Sequence, residues 1–278
     1  MDEFEVKIGI SEYRNIISAI NDVYKIDFSE YALSSLKRRF EKALQLYSFP
    51  TADLLINKIT SDAQFFENFL RDIAVETTEI FRDPSMWKEL KEIILPRYKN
   101  EDELKIWIPE ITTDDELYSL LIILYDTELL PISKIYATSV SSKILDNAKR
   151  GHIDIKRMEV NIANFKRLEG SSNINQYFIQ EEKKAIFRQS LLENVRFLKH
   201  DIINDPPPLL GFRLVLFRNR MLYYNPQLQS KIIAKINNSI IPGGYFIIGI
   251  NETIEGFTTT EKLTVVNPSE KIYKKALY

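Results

Sequence analysis

KIWIPEITTDDELYSLLIIL, residues 105–124, is the stretch that decides the fold. Its apolar beginning, residues 106–108, predicts a short strand, and a polar loop follows at 109–114. Thr113 and Glu116 have the spacing of a capping box, which would begin a helix there. Apolar residues then recur at spacings of three and four, as one face of a helix requires: Leu117, Leu120, Leu121 and Leu124. The stretch therefore predicts a strand, a loop and a helix in succession.

The loop at 109–114 contains no glycine. In α/β folds that bind nucleotides, the loop after the first strand is usually rich in glycine, because the backbone turns tightly there and comes close to the ligand. Here the loop carries Glu110 and Asp114, and Asp115 follows it. These carboxylates disfavour a phosphate group at this position.

A second strand and helix are predicted in KIYATSVSSKILDNAKRG, residues 134–151, with Gly151 as the C-terminal stop. Two successive strand-helix units predict a parallel, doubly wound sheet, in which a ligand lies at the carboxyl ends of the strands. An acidic residue at the end of the second strand would bind ribose hydroxyls, but Ser139 holds that position. Further strands are predicted at 195–203, 212–217, 245–250 and 263–266, with 272–277 as the alternative to the last.

Two other segments have recognisable turn signals. QYFIQEEKKAIFRQS, residues 176–190, has two short runs of aromatic and β-branched residues around a charged turn, which predicts a hairpin. Pro242, Gly243 and Gly244 predict a turn just before the strand at 245–250.

Residues 11–75 predict a small helical bundle, because apolar residues recur at helical spacing and turn signals separate the runs. The second helix carries basic residues that we expect to face away from its apolar stripe: Lys37, Arg38, Arg39 and Lys42. This basic face is either an ordinary solvated surface or a docking surface for an acidic helix of a partner.

The composition narrows the chemistry. The chain has 278 residues, a formal net charge of −2, no cysteine and two histidines. Disulfides and thiolate sites are therefore excluded, and we expect no metal site, because neither His152 nor His200 lies in a metal-binding motif. The acidic N-terminus and the lack of a long apolar run predict a cytoplasmic protein.

VETTEIFRDPSMW, residues 75–87, connects the predicted bundle to the α/β region. Asp83 and Pro84 predict the start of a helix, with Arg82 immediately before it. Arg82 is either part of an ordinary connection or a side chain that the helix start holds and aims into a cleft.

Several separated motifs together resemble one family, the chemotaxis receptor glutamate methyltransferases of the CheR type. The motifs occur in the family's order and approximate spacing: TTEIFRDP, IW with TTDDELYSL, IYAT with ILDNAKRG, LFRNRMLYYNPQLQ and PGGYFIIGINETIEGF. The segment SEYALSSLKRRFEKAL resembles the family's small helical domain, so that the resemblance covers nearly the whole chain.

The resemblance implies an α/β protein with a helical domain at 1–75 and a Rossmann-like methyltransferase domain at 76–278, which has an inserted antiparallel β-subdomain at 170–192. Enzymes of this family transfer a methyl group from S-adenosylmethionine to glutamate side chains on the cytoplasmic helices of chemoreceptors. Their basic second helix and their β-subdomain help to grip the receptor. The expected partner is therefore an acidic helical segment of a chemoreceptor or another signalling protein.

The resemblance also implies site residues. Arg82 and Tyr223 become candidates for positioning the acceptor carboxylate and the methyl donor. The candidates for binding S-adenosylmethionine are Thr78, Glu110, Asp115, Glu116, Ser139, Asp201, Ile202, Arg218 and Asn219.

The donor loop departs from the family's pattern. Where the family has a loop resembling AGCSTGEEPYSL, this chain has PEITTDDELYSL, so that Glu110 and Asp114 replace both glycines. Ser139 replaces the ribose-binding acid, whose loss removes hydrogen bonds worth about 1.5 to 3 kcal/mol. A side chain on a left-handed backbone costs about 1 to 2 kcal/mol more. Together these effects would weaken donor binding on the order of a hundred- to a thousandfold.

Three hypotheses follow from the resemblance and its departures. In the first, the chain is a family member with a degraded donor pocket that acts as a signalling or scaffolding module. In the second, it is an active methyltransferase that binds the donor in an altered way, through Glu116, Arg218 and Asn219. In the third, the pocket takes a different small ligand whose positive charge suits the acidic loop.

Overall fold

The structure, a computed structural model, describes residues 6–74, 79–169, 173–257 and 262–277. The first of these ranges forms a helical domain, as the sequence predicts. Its apolar faces meet in one core, in which Phe40 and Phe69 are fully buried. The helices are α1 Ile10–Tyr24, α2 Leu33–Leu46, α3 Ala52–Ser61 and α4 Ala63–Asp72.

The rest of the described chain is built around a seven-stranded sheet. In chain order the strands are β1 Leu104–Ile108, β2 Ser133–Ser139, β3 His152–Asp154, β4 Phe178–Gln180, β5 Lys184–Phe187, β6 Val195–Lys199, β7 Phe212–Phe217, β8 Ile240–Ile248, β9 Leu263–Asn267 and β10 Ile272–Lys275. The large sheet has the order β6-β2-β1-β7-β8-β10-β9, in which β10 runs antiparallel to β8 and β9 and the other neighbouring strands are parallel. A small antiparallel sheet has the order β3-β5-β4.

Helices cover both faces of the large sheet, which confirms the predicted doubly wound architecture. Alternate residues of β1 show how this arises, since Ile106 and Ile108 lie in the core on one face and Trp107 in the core on the other. None of the helices in the described ranges is long and apolar enough to cross a membrane. The helices of this part are α5 Pro84–Glu89, α6 Asp115–Asp126, α7 Ser142–Arg150, α8 Met158–Glu169 and α9 Pro226–Ser239.

Helix α6 begins without the predicted capping box, so that prediction is wrong. The N-cap residue is Asp114, and its side chain makes no capping hydrogen bond. The carboxylate of Glu116 instead contacts the guanidinium of Arg218 at 3.3 Å. Arg218 thus holds the carboxylate that a capping box would direct back to Thr113.

The hairpin predicted at 176–190 is present as β4 and β5. Strand β3 also pairs with β5, so that the small sheet extends beyond the predicted range of 170–192. The two C-terminal alternatives, 263–266 and 272–277, both form strands, β9 and β10.

The turn predicted at Pro242, Gly243 and Gly244 is wrong, because these residues belong to β8, where its register with β7 shifts. A Cβ added to Gly244 would lie 2.7 Å from Cγ2 of Ile240 and 3.0 Å from the carbonyl oxygen of Phe212. The glycine is therefore needed for the close approach of β8 to β7.

We expect Gly244→Ala to lower the free energy of unfolding by about 1 to 3 kcal/mol, because the added methyl group overpacks the contact with β7. Urea unfolding of the full chain measures this change. Gly9→Ala is the control, since its Cβ would meet only Oε2 of Glu12, at 3.5 Å. Equal stability of the Gly244→Ala variant and the wild type would contradict the close packing of these strands.

Candidate functional site

A small cavity lies between the helical domain and the carboxyl ends of β1 and β2, where a doubly wound sheet binds its ligands. Glu110 and Ser139 line it from the sheet side, Tyr31 and Arg39 from the helical domain, and Tyr223 from the segment after β7. Its volume is about 50 Å³. The cavity therefore has walls from both parts of the chain.

Glu110 has a left-handed backbone, with a φ of 54°. This conformation favours glycine, and a glutamate in it costs about 1 to 2 kcal/mol. Asp114 has a φ of −87° and a ψ of −11°, which any residue adopts. Of the two positions where glycine is replaced, only position 110 thus carries a backbone penalty.

Two tyrosines hold the carboxylate of Glu110. The hydroxyl of Tyr31 donates to Oε1 at 3.2 Å, and the hydroxyl of Tyr224 donates to Oε2. Nε of Arg220 donates to the backbone carbonyl oxygen of Glu110 at 3.1 Å. The side chain that replaces glycine is therefore fixed in place at the donor loop.

Burial has the largest effect on the pKa of the Glu110 carboxyl. It raises the pKa of the Glu110 carboxyl above its ordinary value, whereas the hydrogen bond from Tyr224 and the charge of Arg220 lower it. Burial, and then the nearby Glu110 carboxyl, raise the pKa of both Tyr31 and Tyr224 well above the ordinary value. Both hydroxyls consequently stay protonated and remain donors at neutral pH.

A second cluster surrounds Arg218, whose side chain is only 3% exposed. Its guanidinium contacts Asp83 at 2.7 Å and Glu116 at 3.3 Å, and it lies 5.5 Å from the ring centroid of Trp87. Burial raises the pKa of Glu116, while the charge of Arg218 lowers it. The structure thus brings together two predicted donor-binding residues, Glu116 and Arg218, as partners of each other.

The other acidic residues at the start of α6 are also paired locally. Oδ2 of the buried Asp115 contacts Nη2 of Arg157 at 2.5 Å. Burial, and then the charge of Asp115, raise the pKa of Asp114 to about 7. Within the described ranges, no group of His, Asp and Glu side chains could hold a metal ion.

The remaining predicted donor-binding residues are dispersed. Ser139 lines the cavity, and its hydroxyl accepts the backbone N–H two residues later at 3.4 Å. The carboxylate of Asp201 accepts a hydrogen bond from the backbone N–H of Ile203 at 2.8 Å, within its own loop. Ile202 is buried in the core that contains Trp107. Asn219 is buried and left-handed, with a φ of 58°. Thr78 lies outside the described residues.

Arg82 and Tyr223, the two residues predicted to position the acceptor carboxylate and the methyl donor, lie in different clusters. Tyr223 lines the cavity, and the guanidinium of Arg39 lies 5.2 Å from the centroid of its ring. The backbone carbonyl oxygen of Arg82 accepts hydrogen bonds from Nε1 of Trp87 at 2.9 Å and from Nη2 of Arg218 at 3.2 Å. Arg82 is not among the residues that line this cavity.

The basic face predicted on α2 is wrong for one of its four members. Nη1 of Arg39 donates to the carbonyl oxygen of Ile73 at 2.9 Å, and its side chain lines the cavity. The long side chain turns into the space between the domains because an acceptor and the Tyr223 ring lie there. Lys37 pairs with Glu41 at 2.8 Å, and Arg38 and Lys42 are exposed.

Three cavity residues that contact Glu110 were not among the predicted site residues: Tyr31, Arg220 and Tyr224. Tyr31 is 79 residues from Glu110, so no local pattern joins the two. Tyr224 follows directly after the predicted Tyr223, and that adjacency is the one signal that could have pointed to it.

The helical domain and the mixed seven-stranded sheet, with a small antiparallel sheet beside it, define a Rossmann-like methyltransferase fold. The profile of the "CheR methyltransferase, all-alpha domain" matches residues 11–74, and that of the "CheR methyltransferase, SAM binding domain" matches residues 76–271. The chain belongs to the CheR methyltransferase family.

Relatives of known name match along nearly their whole length. Cher3 of Pseudomonas putida is 28% identical over 265 residues, which cover 95% of this chain and 97% of Cher3. Chemotaxis protein methyltransferase 1 of Vibrio cholerae is 26% identical over 282 residues, covering 97% of this chain and 98% of that protein. The chemotaxis protein methyltransferase of Borreliella burgdorferi is 24% identical, covering 99% of this chain and 98% of its own.

The matching SAM-binding domain implies S-adenosylmethionine as the cofactor if the chain transfers methyl groups. Pockets for ligands of that size have volumes of about 300 to 1,000 Å³, whereas the cavity at Glu110 has about 50 Å³. Ser139 offers a hydroxyl in place of a ribose-binding carboxylate, and Glu110 fills space that a glycine would leave open. In the arrangement described here, the cavity is smaller than such a ligand.

We expect Asp114→Asn to flatten the dependence of stability on pH. The folded pKa of Asp114, about 7, lies above its ordinary value of 3.8. The folded state therefore keeps a proton that the unfolded chain loses, and stability falls as the pH rises from about 4 to about 7. Urea unfolding at several pH values measures the slope. A difference between variant and wild type that stays constant across this range would contradict the raised pKa.

Proposed function

We propose that this CheR-type chain binds S-adenosylmethionine weakly or not at all, and that it acts in the cytoplasm as a signalling or scaffolding module of a chemotaxis-type pathway. The observation that carries the proposal is the Glu110 carboxylate, which is held by Tyr31 and Tyr224 at the donor loop. A donor at this loop would have to displace a carboxylate that has two hydrogen bonds.

The magnitudes favour weak donor binding. Removing a buried carboxylate from its partners costs about 1 to 3 kcal/mol or more, and Ser139 supplies no charged acceptor for the ribose. Each loss of 1.4 kcal/mol corresponds to about a tenfold loss of affinity. Together the two effects lower the affinity by about a hundredfold or more.

The proposed partner is an acidic helical segment of a chemoreceptor or of another signalling protein. Two of the relatives are named as chemotaxis methyltransferases, which supports a partner from that pathway. The exposed Arg38 and Lys42 on α2, with Lys37 beside them, offer positive charge for such a segment. Complementary charge chiefly increases the rate and the selectivity of encounter.

Arg218 and Tyr223 favour a second candidate function, an active methyltransferase that esterifies glutamate side chains. Arg218 and Glu116 remain together at 3.3 Å, and Tyr223 lines the cavity. A glutamate acceptor is already ionised near pH 7, so the transfer requires proximity and alignment without a general base. Donor affinity separates this candidate from the first.

Calorimetric titration with S-adenosylmethionine tests the proposal. We expect no heat from the wild type at millimolar ligand, and an affinity at least about tenfold higher for Glu110→Gly, because glycine removes both the carboxylate and the backbone penalty. Glu128→Gly is the matched control, since Glu128 is also left-handed, with a φ of 62°, and is exposed at the end of α6. A micromolar dissociation constant for the wild type would refute impaired binding.

We expect the double variant Arg38→Glu, Lys42→Glu to lose at least about tenfold in affinity for an acidic receptor helix, because like charges then face each other. Pull-down with a receptor cytoplasmic fragment at several salt concentrations measures this loss. Lys88→Glu is the control, because its side chain is 55% exposed and lies on α5. Unchanged capture by the double variant would mean that this face is an ordinary solvated surface.

A further inference from the structure

Glu110 joins the two parts of the molecule. Tyr31 precedes α2 in the helical domain, and Tyr224 lies between β7 and α9 in the α/β domain. Their hydroxyls donate to the two oxygens of one carboxylate, Tyr31 at 3.2 Å. The rings also contact each other edge to face, with centroids 4.9 Å apart. A side chain of the donor loop is thus bonded to both domains at once.

Backbone hydrogen bonds flank this contact. The N–H of Ala32 donates to the carbonyl oxygen of Tyr223 at 2.8 Å, and the N–H of Asn225 donates to the carbonyl oxygen of Glu30 at 2.9 Å. Both bonds cross the boundary between the helical domain and the α/β domain. Their two amides therefore report directly on whether the domains are docked at this point.

We infer that Glu110, Tyr31 and Tyr224 form a tie that holds the helical domain on the α/β domain in the place where a methyl donor would otherwise lie. The inference rests on the proposed function, since it explains what the side chain at position 110 does once donor binding is weakened. It assigns to Tyr31 and Tyr224 a role in setting donor affinity.

The tie is strengthened because its carboxylate is half-buried and accepts a hydrogen bond at each oxygen. A hydrogen bond to an ionised acceptor is stronger than one between neutral groups, and a low local dielectric strengthens it further. Arg220 adds a bond from Nε to the carbonyl oxygen of Glu110 at 3.1 Å, which fixes the loop itself. Breaking either tyrosine contact would leave one oxygen of the Glu110 carboxylate without its hydrogen bond from a tyrosine hydroxyl.

The tie and a bound donor exclude each other. The cavity walls come from both domains and enclose about 50 Å³, so a donor enters only if the Glu110 carboxylate leaves its tyrosines. When two states exclude each other, the apparent affinity for the donor is reduced by the fraction of molecules in which the tie is open. A substitution that weakens the tie about tenfold should therefore raise the affinity for the donor by up to about tenfold.

Hydrogen exchange of the full chain tests the tie. In Tyr31→Phe and in Tyr224→Phe we expect the amides of Ala32 and Asn225 to exchange about tenfold faster or more. The amide of Ile111 donates to Thr138 at 2.7 Å within the α/β domain and should keep its wild-type rate. Unchanged exchange at Ala32 and Asn225 in both variants would overturn the inference.

Tyr47→Phe is the matched control variant. The Tyr47 hydroxyl also donates to a carboxylate, that of Asp72, but both residues belong to the helical domain. The substitution removes the same kind of bond without crossing the boundary, so it should leave exchange at Ala32 and Asn225 unchanged. If Tyr47→Phe and Tyr31→Phe accelerated exchange at these two amides equally, loss of either hydrogen bond would be loosening the whole protein, and the inference would be overturned.

Titration with S-adenosylhomocysteine completes the test. We expect Tyr31→Phe to bind it about tenfold more tightly than the wild type, and Tyr47→Phe to match the wild type. Faster exchange in Tyr31→Phe without any gain in affinity would refute the exclusion between tie and donor. A micromolar dissociation constant for the wild type would refute the proposed function alone, because the exchange result would still decide whether the tie exists.

Discussion

The hydrogen bonds from Tyr31 and Tyr224 to the carboxylate of Glu110 are the interaction that connects the helical domain, the α/β domain and the wall of the cavity. A buried carboxylate is costly unless it is paired, and here its two oxygens find donors in different domains. The same contact places the Glu110 side chain at the strand ends, between the two domains and in the wall of the cavity.

The fold itself does not depend on this contact. The large sheet has a core on each face, and the helical domain has a core of its own, so each part is stabilised by burial of apolar side chains. Glu110 also occupies a left-handed backbone that disfavours it. The family's scaffold is therefore kept although a glutamate occupies this left-handed position in the wall of the cavity.

Much of the scaffold could be predicted from the sequence, because apolar periodicity reports which face of each strand or helix is buried. The cavity could not, since Tyr31, one of the two tyrosine partners of Glu110, lies in the helical domain and no spacing rule connects the two residues. Arg39 was misplaced for a related reason, because its long side chain follows an acceptor at Ile73 instead of the helix face. Gly244 was misread as a turn residue because a sequence does not distinguish a turn from a close approach of two strands.

A crystal structure, from crystals of the chain grown with millimolar S-adenosylhomocysteine, most directly tests the central claim that the Glu110 carboxylate takes the place of the methyl donor. We predict that the Glu110 carboxylate remains bonded to Tyr31 and Tyr224 and that no adenosyl density lies beside Ser139. Adenosyl density at the ends of β1 and β2, with the Glu110 side chain turned away from both tyrosines, would contradict that claim.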